Sequence, residues 1–163
     1  MVNFHIVDEA VIRATPEEIE EALADEVTGR SNWWAPKLQM RIRDGRTPHE
    51  IGAITEYRVN PNGRADRPGA ARFATRITER EPGRVVTEYL DGAFRGHAVL
   101  TTETVAQGRT RIRNDWQTQT HGLVMGIMVA RLMNIGAGHS RVMQDGYAAM
   151  ERYIEEKRTA SAA

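Results

Sequence analysis

Thr110-Arg-Ile-Arg-Asn-Asp-Trp-Gln-Thr-Gln-Thr120 is a strand by strict alternation, and it leads directly into Leu123-Val-Met-Gly-Ile-Met-Val-Ala-Arg-Leu-Met133, the start of a long helical pattern. That order predicts one sheet wrapped around one helix. Successive strand side chains point to opposite sides, so Ile112, Asn114, Trp116, Thr118 and Thr120 share one face. A face that only packs a core reads Val, Ile and Leu, whereas Asn114, Trp116 and Thr118 suit a cavity wall that meets a partly polar ligand. An indented core with satisfied polar groups reads the same way.

In the helix, Leu132, Gly136, His139, Met143, Tyr147, Met150 and Ile154 recur at three or four residues and form one inward stripe. Arg141, Gln144, Asp145, Arg152 and Glu155 form its wet side. A single straight helix over residues 121 to 158 would span about 57 Å at 1.5 Å per residue. That is long for a small domain, so a break is expected near Gly136 and Gly138, each costing about 1 kcal/mol relative to Ala. Segment 123–133 carries only one charge, Arg131, and suits burial under the first helices, a homodimer seam or a lid over a cavity mouth.

Working outward, residues 4 to 12 alternate as a first strand whose buried face is ambiguous. Thr15-Pro-Glu-Glu18 is a helix start: Thr15 caps, Pro16 fits the first helical position and Glu18 completes a capping box. Ile19, Ala22, Leu23 and Val27 form the apolar stripe, and Gly29 ends the helix. Ser31-Asn-Trp-Trp-Ala-Pro36 is a second short helix or turn, able to close one end of a cavity. Strands are expected at about 37–43, 51–59, 71–80, 84–91 and 94–104. Asp44-Gly45, Asn60-Pro-Asn-Gly63, Glu81-Pro-Gly83, Asp91-Gly92 and Gln107-Gly108 mark the turns between them. The expected count is one strand, two short helices, six strands and a long helix, in a single domain over residues 1–158 with a frayed tail at 159–163. Residues 60–72 read as a mobile loop.

The chain has 163 residues, 22 basic against 22 acidic, and no cysteine. Zero net charge removes the electrostatic case for nucleic acid. Absence of cysteine excludes disulfides, a thiol nucleophile and thiolate metal sites. No metal site or cofactor is expected: there is no His-Glu-x-x-His, and Gly136-Ala-Gly138 neither follows a strand nor continues into a dinucleotide fingerprint. The acidic start lacks a signal-peptide core and the apolar run is too short to span a bilayer, so a cytoplasmic protein without a membrane span is expected.

In element order, length and motifs the chain resembles the START/Bet v 1-like (SRPBCC) superfamily, specifically its bacterial polyketide cyclase/dehydrase-like branch. The resemblance rests on Thr15-Pro-Glu-Glu-Ile19, Trp33-Trp34-Ala-Pro36, Glu79-Arg-Glu-Pro-Gly-Arg84, Gly108-Arg-Thr-Arg-Ile112, Asn114-Asp-Trp116 and His139-Ser-Arg-Val-Met143-Gln-Asp-Gly146. It implies an α+β helix-grip fold: a curved seven-stranded antiparallel sheet gripping the C-terminal helix, with a hydrophobic cavity between them. The same resemblance covers lipid carriers, receptors and aromatase/cyclases, so fold does not fix function.

His139 is the first candidate for chemistry, as a general acid/base or a hydrogen-bonding partner; a core histidine satisfied by a strand carbonyl or Asn114 is the alternative. Tyr57 could donate to an enolate or line the wall with its hydroxyl at the rim. Trp116 could stack on a planar ligand or fill core volume. Trp34, Met40, Phe73, Asn114, Leu132 and Met143 complete the expected lining, with Glu88 and His97 as further candidates that a solvated strand face would equally explain. The methionines offer an adaptable wall or ordinary filler. The expected partner is a small hydrophobic or aromatic ligand, polyketide-, lipid- or sterol-like, either bound or turned over by a cofactor-independent cyclisation, dehydration or isomerisation. A partner-docking or chaperone-type module using segment 123–133, and a homodimer, are the remaining readings.

Overall fold

The computed structural model describes residues 2–92, 94–122 and 134–163. Seven strands form one antiparallel sheet: β1 (Asn3–Ile12), β2 (Leu38–Ile42), β3 (Ile54–Val59), β4 (Ala71–Glu81), β5 (Arg84–Gly92), β6 (Phe94–Ala106) and β7 (Arg109–Thr120). Their order is β1-β7-β6-β5-β4-β3-β2, so β2 to β7 meander through tight turns and only β1 joins out of sequence, at β7. Two helices complete the fold, α1 (Pro16–Thr28) and α2 (Ile135–Ala162). The sheet curls over α2 in the helix-grip arrangement, as the sequence pattern implied.

Local chemistry accounts for the elements. Thr15 caps α1 by accepting from the Glu18 N–H (3.3 Å), and Glu18 Oε2 accepts from the Thr15 N–H (2.8 Å), completing the capping box. Gly29 closes the helix in the left-handed conformation (φ 78°). β7 alternates without a fault: Thr110, Ile112, Asn114, Trp116, Thr118 and Thr120 are all buried, and the residues between them are not. In β1 the inner face is Phe4, Ile6, Asp8, Ala10 and Ile12, because Ile6 pairs with Trp116 and Asp8 with Asn114. Gly92 (φ 90°) lets β5 bend onto β4, since a Cβ there would lie 2.2 Å from the Arg72 carbonyl oxygen.

Two differences from the sequence expectation have physical causes. The expected second short helix is a run of turns over 33–37, held by the Trp33 indole N–H to the Ala22 carbonyl (3.0 Å) and the Trp34 indole N–H to the Val142 carbonyl (3.0 Å). Within it the Ala35–Pro36 peptide is cis. The break expected near Gly136 and Gly138 falls at the start of α2, which begins at Ile135 and is capped by the Asn134 side chain accepting from the Ala137 N–H (3.1 Å). The helix also continues past residue 158 to Ala162, its last turns buttressed by Thr159 and Ser161 hydroxyls donating to the Glu155 and Lys157 carbonyls. Leu132 and the apolar 123–133 segment, including Met125, Met128 and Met133, lie outside the described residues.

The core is built around α2. Ile12, Ile19, Ala22, Ile112, Tyr147, Met150 and Ile154 knit β1, α1, β7 and α2 together. Trp34, Leu38, Met40 and Val142 join the turn segment and β2 to α2. Ion pairs seal the outer seam between the helices: Arg158 with Glu18, and Lys157 with Glu21 and Asp25.

Candidate functional site

Between the concave sheet and α2 lies a cavity of about 1150 Å³. It is somewhat larger than ordinary small-molecule sites, which run to about 1,000 Å³. Eight of the residues singled out from sequence line it: Trp34, Met40, Tyr57, Phe73, Asn114, Trp116, His139 and Met143. Tyr57 lines the cavity together with Ala53, Thr55 and Val59, the residues that share its face of the strand. Glu88 and His97 are a correction: they are exposed cross-strand neighbours on the other face of β5 and β6, placed there by a register that turns Thr87, Tyr89 and Ala98 inward.

A row of rings runs along the wall. Tyr57 stacks on Phe73 (4.9 Å between centroids), Phe73 meets Phe94 edge-on (6.1 Å), Phe94 meets Trp116 (5.2 Å), and Trp116 stacks on His139 (4.3 Å, 16° between planes). Trp116 is a structural member of this row. Its indole N–H donates to the Tyr89 hydroxyl (2.8 Å) and Phe4 also stacks on it (5.5 Å), so little of its ring is left for a ligand. Tyr57 and His139 stand at the two ends of the row. Burial pushes the Tyr57 phenol up, the Thr75 and Thr55 hydroxyls beside it partly offsetting this, so it remains a neutral donor.

His139 is held by a residue the sequence reading did not select. Its Nδ1 lies 2.8 Å from Asp8 Oδ2. An ionised carboxylate only accepts, so Nδ1 carries the proton and Nε2 is left as a bare acceptor. Nε2 has no hydrogen-bond partner among the described residues. Asp8 is 5 % exposed, and its own backbone carbonyl accepts from the Tyr147 hydroxyl (3.1 Å). Burial pulls the His139 imidazole below its ordinary value, against the raising effect of the Asp8 charge. Asn114, directly opposite Asp8 on the neighbouring strand, makes no side-chain hydrogen bond to a described residue, which leaves its amide to the cavity. The signal for Asp8 was present in the sequence: it is the one charged residue on an otherwise apolar strand face.

A second histidine was also missed. His49, in the loop between β2 and β3, lines the cavity with Glu20 and Pro48. Its backbone has φ 71°, the one non-glycine residue at positive φ among those described, which costs about 1–2 kcal/mol. Surrounding contacts hold it there: Arg80 donates to the His49 carbonyl (2.6 Å) and to Glu20 Oε2 (3.0 Å), and the ring Nε2 lies 2.8 Å from the Glu20 carbonyl. Burial lowers this imidazole as well.

Among the described residues no group of His, Asp or Glu could hold a metal ion, and no helix is long and apolar enough to cross a membrane.

Solved structures share the architecture over nearly their whole length. The chain is 15 % identical to an aromatase/cyclase from a Streptomyces species, with 96 % of each chain covered and a TM-score of 0.70. It is 16 % identical to a START superfamily protein from Mycobacterium smegmatis (94 % and 99 % covered, TM-score 0.65) and 11 % identical to a major latex-like protein of Panax ginseng (91 % and 97 %, TM-score 0.61). At such identities the likeness is one of fold. No curated protein matches the chain significantly. The family model described as polyketide cyclase / dehydrase and lipid transport matches residues 3–155, from β1 to within α2. The chain therefore belongs to that family, within the START/Bet v 1-like superfamily whose pattern its sequence carries.

Proposed function

We propose that this protein encloses a small, largely apolar molecule with a planar aromatic portion and at least one oxygen function, held between the ring row and the Asn114–His139 pair. The observation that carries this is a large cavity with apolar walls lined by two polar groups, the Asn114 amide and His139 Nε2, that have no hydrogen-bond partner among the described residues and stay accessible from the cavity. A ligand that fills the cavity removes them from water, so one that supplies partners to both is favoured over a purely apolar one. Native mass spectrometry of the purified protein, then titration with fatty acids, sterols and aromatic polyketides followed by tryptophan fluorescence, tests the reading. Retained ligand mass or saturable quenching is expected; a clean apo mass with no response to any class overturns it.

The Asp8–His139 pair favours a second reading, turnover without a cofactor. In a dehydration or cyclisation of the aldol type, His139 Nε2 takes a proton from carbon next to a carbonyl while Asp8 holds the imidazolium that forms. Asn114 polarises that carbonyl; in a cyclisation the enolate carbon then bonds to a second carbonyl carbon, whose oxygen takes the proton back, and in a dehydration the C–O bond of the β-hydroxyl breaks and the proton joins it to leave as water. Asn114 is better placed for this than Tyr57, which stands at the other end of the ring row. Replacing His139 by Ala should abolish turnover and spare most of the affinity; equal loss of both would reduce His139 to a binding residue.

A further inference from the structure

We propose that His49 forms a second polar pole of the cavity, so that the ligand is an elongated apolar body carrying a hydroxyl or phenol donor at each end, one for His139 and one for His49.

This rests on the enclosure reading above and deepens it. The argument is one of tautomers. At His49 the ring Nε2 faces the Glu20 backbone carbonyl at 2.8 Å. A carbonyl accepts and cannot donate, so Nε2 carries the proton and Nδ1 is bare. Nδ1 has no hydrogen-bond partner among the described residues, and the residue lines the cavity. At His139 the nitrogens are exchanged but the outcome is the same: Nδ1–H is used up on Asp8 and the bare Nε2 remains. Burial keeps both rings toward the neutral form, so each presents an acceptor and calls for a donor. A head group without a donor leaves the bare ring nitrogen unpaired at either pole.

The poles are well separated. Met150 packs in one cluster with Ile19, the neighbour of Glu20, and lies eleven residues along α2 from His139, which is about 16 Å at 1.5 Å per residue. A rigid body with donors at both ends can bridge that span, whereas a compact ring with one oxygen reaches only one pole. The strained backbone of His49 and its Arg80 clamp fix the ring where a ligand end would arrive.

The probe is diethylstilbestrol, an apolar body with a phenol at each end, together with its monomethyl and dimethyl ethers, which remove one and then both donors at nearly constant shape. Affinities come from tryptophan fluorescence or calorimetry. In the unaltered protein each methylation should weaken binding by about 3- to 10-fold, the worth of one hydrogen bond. In His49→Asn, chosen because Asn tolerates positive φ, diol and monomethyl ether should bind within about twofold of each other. The dimethyl ether should still bind more weakly, because its loss is at His139. His49→Gly, free of backbone strain, gives the same readout if the Asn variant does not fold. Equal affinity of all three compounds for the unaltered protein, or an unchanged diol-to-monoether ratio in both variants, overturns the His49 pole and leaves the enclosure reading standing. Failure of all three compounds to bind while a fatty acid, sterol or aromatic polyketide does bind overturns the two-pole ligand alone; failure of every one of these overturns both.

Discussion

Gly146→Ala inverts the usual sign of its substitution. In a helix interior, exchanging Gly for Ala ordinarily stabilises by about 1 kcal/mol. Here an added Cβ would lie 2.2 Å from Trp34 Cε2, 2.3 Å from Cζ2 and 2.5 Å from Nε1, well inside the roughly 3.5–4.0 Å of a normal carbon contact. The neighbour is a stiff ring, not the end of a flexible chain. Trp34 is stacked on Trp33 at 5.1 Å and donates to the Val142 carbonyl, so it cannot retreat without losing both contacts. Overpacking costs about 1–3 kcal/mol and the indole hydrogen bond about 1 kcal/mol; against the propensity gain, a net loss of about 1–3 kcal/mol remains. At this chain length that lowers Tm by about 2–12 °C, read by thermal unfolding followed by circular dichroism. The control is the same change on a Trp34→Ala background, where the clash is gone and Gly146→Ala should stabilise by about 1 kcal/mol. A single variant as stable as the parent would refute the reasoning, because it would mean that Trp34 does not sit against the α2 backbone.

Stability should fall on acidification: burial lowers His139 and His49 in the folded protein, so the unfolded chain takes up protons first, and the contribution of these groups is whole above the ordinary 6.5 and is lost as pH drops toward their folded values. Urea melts at several pH values check this, and His139→Phe should flatten the slope. Glu26 acts with the opposite sign, because burial raises its carboxyl above the ordinary 4.5, so its stabilisation is present below that value and is lost as pH rises through the folded one. Glu26→Gln should remove that component. Thr118→Val should leave Tm unchanged or raise it, by up to about 1 kcal/mol of stability, since the buried hydroxyl has no partner among the described residues; a clear loss would show that the hydroxyl is paired.

Much of the cavity wall was legible in the chain because strands alternate. Tyr57, Asn114 and Trp116 could be assigned to the inner face from period two together with the side chains sharing that face, and His139 from the helical stripe. The same rule left Glu88 and His97 open, since alternation separates two faces without saying which one is inside. It left β1 open for the same reason, and Asp8 with it, until pairing with β7 showed its inner face. His49 lay beyond any periodic argument: it sits in a loop, and its placement follows from the Arg80 clamp and the Glu20 carbonyl, both distant in sequence.

The sequence by itself determined the order of elements, the capping box of α1, the hairpin punctuation and the family pattern, because each depends on residues within a turn or two of one another. The tertiary structure decided what those elements do together. A glycine inside a helix costs about 1 kcal/mol by local propensity; at Gly146 the fold reverses that sign, because the Trp34 ring takes the space a Cβ would need. The pairing of Asp8 with His139 joins residues 131 apart in the chain, and the proton position that makes Nε2 an acceptor exists only once that contact is formed.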